Sequence, residues 1–124
     1  MEMRDNIRNA RISNVSITMA DHGCLTFWVS LDGGGWGCGF GGYCIGHGYV
    51  GADKFTAENG GGLEAMMRIM DVVGVEKWED LKDKYVRCKI EGVGAGGHVD
   101  EIGNVLRDKW FNIRKFFEER TEKK

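Results

Sequence analysis

The chain has 124 residues, of which 42% are hydrophobic and 29% charged, and a formal net charge of −2. That length supplies one domain with one core, and the composition is globular rather than disordered. Near-balanced charge lacks the lysine and arginine excess that phosphate contacts require, so direct nucleic-acid binding is not expected. No apolar run approaches a membrane span and the opening MEMRDNIRNA has no hydrophobic leader. The expectation is a cytoplasmic chain without a membrane partner, whose Cys24, Cys38, Cys44 and Cys88 stay reduced. Proline is absent, which leaves turns to glycine, asparagine and aspartate.

Between Ala10 and Met19, Val15, Ile17 and Met19 alternate with Ser16 and Thr18, the period of a half-buried strand. Residues 20–23 supply a turn, and Leu25, Phe27, Val29 and Leu31 then alternate with Thr26, Trp28 and Ser30. The two strands read as a hairpin. After the turn signal Asp32-Gly33-Gly34-Gly35, Trp36, Cys38 and Phe40 alternate with glycines, predicting a strand with one bare face. Residues 41–55 read as a loop. Leu63, Met66, Met67, Met70 and Val73 fall at helical spacing, predicted as a core stripe, with Gly74 placed as a C-terminal cap. A short helical piece is expected around Trp78 and Leu81, and a strand from Tyr85 to Ile90 with Val86, Cys88 and Ile90 inward. After the glycine cluster 92–97, the stretch from Val99 is ambiguous between strand and helix. The segment around Phe116 reads as helix, leading to a charged tail. The predicted fold is α+β: an antiparallel sheet with one main helix packed on it and a short C-terminal helix. Residues 1–124 form a single domain, with 1–9 and 119–124 expected to be loose.

Ten of the nineteen residues from Gly33 to Gly51 are glycine, interleaved with Trp36, Phe40, Tyr43, His47 and Tyr49. Glycine loses the most backbone entropy on folding, and a flexible linker would lack the aromatics, so this run reads as the functional centre. Four chemistries compete for it. Gly37-x-Gly39-x-x-Gly42 and Gly92-x-Gly94-x-x-Gly97 both match a dinucleotide fingerprint, but no helix follows the first and little chain follows the second. A looser amide cradle for a phosphate stays open. Cys38, Cys44 and His47 are close in sequence, and His22, Cys24, Cys88 and His98 could join them in space. No tight Cys-x-x-Cys knuckle is present, so no metal and no cofactor are assigned. Cys44, His47 and Asp53 could form a thiol catalytic set, though the spacing alone establishes no geometry and no catalytic residue is assigned. Recognition is the reading that fits best, carried by Trp36, Phe40, Tyr43, His47, Tyr49, Asp53 and Lys54 as partner- or ligand-binding residues. The pairs Trp110-Phe111 and Phe116-Phe117 offer further apolar surface for a partner or a homodimer.

Four stretches carry a resemblance: Ile17 to Leu25 (ITMADHGCL), Gly41 to Asp53 (GGYCIGHGYVGAD), Ala65 to Asp71 (AMMRIMD), and Ile102-Gly103-Asn104 through Asp108-Lys109-Trp110-Phe111. Together they resemble small proteins encoded by phages and prophages of Firmicutes, many from the gut, over nearly the whole chain beyond the first ten residues. The resemblance brings no activity and no catalytic residue. It implies a context in which small accessory proteins inhibit host defence by stoichiometric binding, as anti-CRISPR proteins do with Cas nucleases. It also implies an alternative, a sponge that sequesters a nucleotide defence signal. The expected partner is therefore a defence protein of the host bacterium, such as a Cas nuclease complex.

Overall fold

The computed structural model describes residues 7–58, 60–91 and 98–122. Seven antiparallel strands form one sheet: β1 (Ile7–Asp21), β2 (Cys24–Asp32), β3 (Gly37–His47), β4 (Thr56–Ala57), β5 (Tyr85–Glu91), β6 (His98–Gly103) and β7 (Trp110–Asn112). Helix α1 (Gly62–Val73) and a 3-10 turn (Trp78–Leu81) connect β4 to β5, and helix α2 (Ile113–Glu122) follows β7. The strand order is β4-β3-β2-β1-β5-β6-β7. The class is thus α+β, with antiparallel sheet predominating.

β1 is the spine. Its first part pairs with β5 (Ile7 with Lys89, Arg11 with Tyr85) and its second with β2 (Arg11 with Asp32, Asp21 with Cys24). One long strand serving two partners lets the sheet curl into a half-barrel, so that β3 touches β6 across three intervening strands. The β1–β2 hairpin closes at His22 (φ 54) and Gly23 (φ 82), where consecutive positive φ values match the right-handed strand twist. On the inner face Phe27, Val29 and Leu31 alternate as predicted and meet Ile12, Phe40, Val86, Cys88 and Ile102 in one core. β1 begins before the predicted Ala10, so Ile7, Arg8 and Asn9 lie inside a ladder and not in a loose terminus. The ambiguous stretch after Val99 resolves into β6, β7 and α2, and α2 continues to Glu122. The second glycine cluster, 92–97, lies outside the described residues.

Helix α1 ends where the sequence placed it. Gly74 takes the left-handed conformation (φ 95) and its N–H donates to the Met70 carbonyl at 2.7 Å. The buried face differs from the predicted stripe. Ala65, Met66, Ile69 and Val72 enter the core with Gly62, whereas Leu63 is 58% and Met67 69% exposed. The cause is closeness. At Gly62 a Cβ would stand 2.3 Å from Ile45 Cγ2, so the helix approaches β3 through its smallest residues. That rotates the larger Leu63 and Met67 outward.

The larger correction concerns residues 41–47, predicted as loop but belonging to β3. The ladder with β2 slips twice, between Thr26 and Trp28 and between Leu25 and Thr26. Each slip places an extra β3 residue opposite β2, which is the signature of a β-bulge. Gly41 (φ 115) and Gly42 (φ 81) form the first. A Cβ on Gly42 would meet the Trp28 ring at 2.4 Å, because the indole lies over the bare face of β3 at Gly39 and Gly42. Gly42→Ala is therefore expected to cost about 2 kcal/mol or more, combining left-handed strain with overpacking. Gly35→Ala, where nothing lies within 4 Å, is expected to be neutral. Equal urea midpoints for wild type and Gly42→Ala would overturn this account of the bulge.

Candidate functional site

The second bulge decides what chemistry the outer face carries. In a regular strand Cys44 and His47, three residues apart, would point to opposite faces. Here Thr26 pairs with Cys44, Leu25 with Gly46 and Cys24 with His47, leaving Ile45 as the extra residue. The inserted residue reverses the alternation. Ile45 turns into the core with Leu25, while Cys44, His47 and Cys24 share the opposite face.

The three side chains converge. Cys24 Sγ lies 3.9 Å from His47 Nδ1, and Cys44 Sγ lies 3.9 Å from His47 Nε2. One ligand atom from each falls within 4.8 Å of the other two. Cys44 Sγ also donates to the Gly46 carbonyl at 3.0 Å. A fourth group comes from beyond β4. The Glu58 N–H donates to the Ile45 carbonyl at 3.1 Å, and the Glu58 carboxylate pairs with His47 Nε2. The imidazole is half exposed, so the cluster is open to solvent on one side.

Loop 48–55 leaves directly from His47 and is closed on itself. Gly48 N–H donates to the Gly23 carbonyl of the β1–β2 turn at 2.8 Å, and Ala52 N–H donates to the Tyr49 carbonyl at 2.9 Å. The Phe55 ring folds back over Gly48, where a Cβ would stand 2.5 Å from Cδ1. With its ends fixed this way the loop still exposes Tyr49 (62%), Val50 (88%) and Phe55 (63%).

The predicted recognition residues separate into three groups. Phe40 is 1% exposed and belongs to the core, where no partner reaches it. Trp36 packs over Gly33 and against the core, closing the β2–β3 turn. Tyr43 stacks on Phe117 with ring centroids 3.9 Å apart and planes within 12°, which holds α2 to β3. His47 belongs to the thiol cluster. Tyr49, Asp53 and Lys54 are exposed on the loop that follows it. Of the trio Cys44, His47 and Asp53, weighed from the sequence but not assigned as catalytic, Cys44 lies beside His47, and the carboxylate paired with that ring is Glu58. Glu58 carried no signal in the sequence. Only the β3–β4 pairing, Gly46 with Ala57 and His47 with Thr56, brings it near.

The other thiols have a different fate. Cys38 and Cys88 face the interior of the half-barrel. Desolvation raises the Cys38 thiol pKa, and burial with the neighbouring Cys38 pushes Cys88 up to about 12. His98 pairs with Asp100 at 3.2 Å, and His22 occupies the hairpin turn. The fingerprint at Gly37, Gly39 and Gly42 lies within β3, with no helix N-terminus behind it to receive a pyrophosphate. The C-terminal aromatic pairs are covered within the chain. Arg87 and Lys89 lie over Trp110 at 4.5 and 4.8 Å, Arg68 and Arg120 over Phe116 at 5.7 and 5.0 Å. Phe111 meets Phe116 edge-on.

No family model, curated protein or solved structure matches the chain. Among the described residues no helix is long and apolar enough to cross a membrane.

The two thiol pairs are expected to separate kinetically. Near pH 8 a thiol with pKa about 12 is ionised in roughly one molecule in ten thousand, so Cys88 should react with a disulfide reagent only on unfolding, and Cys38 slowly. Cys24 and Cys44 should react first. Because the folded Cys88 pKa lies above the ordinary thiol value of 9.0, its stabilising effect is complete below about pH 9 and is lost as pH rises toward 12. Cys88→Ala should flatten that alkaline limb. Four thiols reacting at one rate in the native protein would contradict the assignment.

Proposed function

We propose that this chain is a non-enzymatic, phage-encoded inhibitor of a bacterial defence system that acts in the host cytoplasm by stoichiometric binding. The defence protein it binds is proposed to be a component of a Cas nuclease complex. The observation that carries the binding part is loop 48–55. It holds Tyr49, Val50 and Phe55 in solvent on backbone already fixed at Gly48 and Ala52. Large apolar rings presented on ordered backbone lose little conformational entropy on docking, which is how a few side chains come to dominate an interface. Asp53 and Lys54 beside them supply a charged rim.

Two further observations support the reading. Leu63 and Met67, one turn apart on α1, are also exposed, and methionine adapts readily to a partner surface. The partner class rests on the likeness of residues 17–25, 41–53, 65–71 and 102–111 to small phage proteins. The alternative reading, a sponge for a nucleotide signal, would draw on glycine amides; Gly37, Gly39 and Gly41 lie along β3 opposite Asp32, Ser30 and Trp28.

The test is phage plating on a host with and without a Cas system, with and without this chain expressed, followed by affinity measurement with the purified nuclease complex. Tyr49→Ala should weaken binding by more than 1 kcal/mol, about five-fold or more, at an unchanged melting temperature, and Phe55→Ala, whose ring also closes the loop over Gly48, should weaken it at least as much. Leu106→Ala, more exposed still but on the β6–β7 connection, should leave binding intact. Full inhibition by the Tyr49→Ala, Phe55→Ala double variant would remove the loop from the interface. Self-association through those two residues would make the face a contact between copies, and failure to restore plating would overturn the inhibitor reading.

A further inference from the structure

The cluster at the shared end of β2, β3 and β4 has the composition and spacing of a metal site. We propose that Cys24, Cys44 and His47 bind one borderline-soft divalent cation, with Zn2+ as the natural occupant, and that Glu58 orients the imidazole. The proposal is independent of the docking loop's partner.

The geometry is close to that of a ligated ion. In a tetrahedral zinc site with Zn–S near 2.3 Å and Zn–N near 2.0 Å, two sulfurs sit about 3.8 Å apart and a sulfur and a nitrogen about 3.5 Å. Here Cys24 Sγ stands 3.9 Å from His47 Nδ1 and Cys44 Sγ stands 3.9 Å from the other ring nitrogen, Nε2, and one ligand atom from each residue lies within 4.8 Å of the other two. Closing onto an ion at Nδ1 draws the Cys44 sulfur from its place beside Nε2 toward Cys24 by side-chain rotation, on strands whose pairing stays as it is.

Glu58 defines which nitrogen binds. A carboxylate at Nε2 accepts that nitrogen's proton, so the neutral ring keeps its lone pair on Nδ1, the atom facing Cys24 Sγ. A carboxylate behind a ligating histidine is the usual outer support of zinc sites. Two thiolates and one imidazole select zinc over magnesium or calcium, which take oxygen donors. Binding displaces the thiol protons, including the one Cys44 donates to the Gly46 carbonyl, and both protons leave to solvent. The half-exposed imidazole leaves the fourth coordination position to water.

The backbone gives a reason for these residues to be together. The bulge at Ile45 brings Cys44 and His47 to one face, and Glu58 is tied to the same Ile45 by a main-chain hydrogen bond. An ion here ties the start of β2 to the end of β3, where loop 48–55 departs.

The experiment titrates purified, reduced, chelator-treated full chain with Co2+ as a spectroscopic probe, then with Zn2+. One equivalent of Co2+ should produce a thiolate-to-cobalt charge-transfer band and intense tetrahedral ligand-field bands, which Zn2+ abolishes. Zn2+ should also raise the melting temperature and add one ion per chain in native mass spectrometry. Cys24→Ser, Cys44→Ser and His47→Ala should each lose the charge-transfer intensity or the tight stoichiometry, while Cys38→Ser keeps both. Glu58→Gln should weaken Zn2+ binding about ten-fold or more with the bands retained. Circular dichroism of each metal-free variant separates loss of a ligand from loss of fold. Absence of a charge-transfer band in folded wild type at millimolar Co2+ would overturn the site, as would bands that survive in a Cys24→Ser, Cys44→Ser double variant. A Glu58→Gln affinity equal to wild type would remove the orienting role.

Discussion

The doubly bulged ladder between β2 and β3 is the constraint on which the rest of the molecule depends. From Phe27 onward β2 alternates and commits Phe27, Val29 and Leu31 to the core, with Thr26 buried beside them. β3 must follow it along its length yet carries extra residues, so it yields twice, at Gly41-Gly42 and at Ile45. The first bulge needs glycine for its backbone conformation and for the indole of Trp28 lying on it. The second puts Ile45 into the core. Bulges bend a strand and increase its twist, and here the bend carries β3 round until it touches β6. Curling leaves a gap between the two ends of the sheet. Helix α1, in contact with β3, β6 and β7, occupies it.

That constraint also explains which parts of the sequence were legible. The β1–β2 turn, the strand 85–90 and the C-terminal end of α1 were plain because each is marked by one period or by a recognisable residue, such as Gly74; the inward face of β1 was less so, since its ladder with β2 slips between Ile12 and Asn14 and Ile17 is exposed. Residues 41–47 were not, because a bulge breaks the period-two pattern on which strand reading relies. Glycine in that segment looked like loop, and only the pairing partner reveals it as strand. The face of α1 was misplaced for a related reason. Side-chain size suggested Leu63 and Met67 as core, but contact with β3 is governed by Gly62 and Ala65, where absence of bulk permits approach. Glu58 was invisible to any local pattern, since its relation to His47 exists only through the β3–β4 pairing.

The C-terminal aromatics show how apolar surface can be surplus in sequence and still be covered in the fold. Phe117 stacks on Tyr43, and Phe116 lies between Phe111, Phe117 and two guanidinium groups. Trp110 lies over Gly103 beneath Arg87 and Lys89, its indole N–H donating to Asp108 at 3.0 Å. Stacking a cation on a ring removes apolar surface from water while the charge stays hydrated. Loop 48–55 has no comparable cover over Tyr49 and Val50 in the described residues. The contrast gives that loop its weight as a surface for something outside the chain.

The four cysteines follow from the same geometry. Cys38, upstream of both bulges, points into the half-barrel and meets Cys88. Six residues later in β3, with even parity retained in number, Cys44 would be expected on the same inner face. It is not, because the bulge at Gly41-Gly42 intervenes and reverses the alternation. The second bulge then reverses it again at Ile45, so that His47 joins Cys44 and not Ile45. A regular strand of this sequence would bury Cys44 beside Cys38 and Phe40 and leave the histidine without a thiol partner on its own strand. The glycine density of β3, costly in backbone entropy, is thus tied to a specific outcome: it permits two reversals within one strand, and those reversals separate an inert, buried thiol pair from a solvent-facing pair that meets an imidazole.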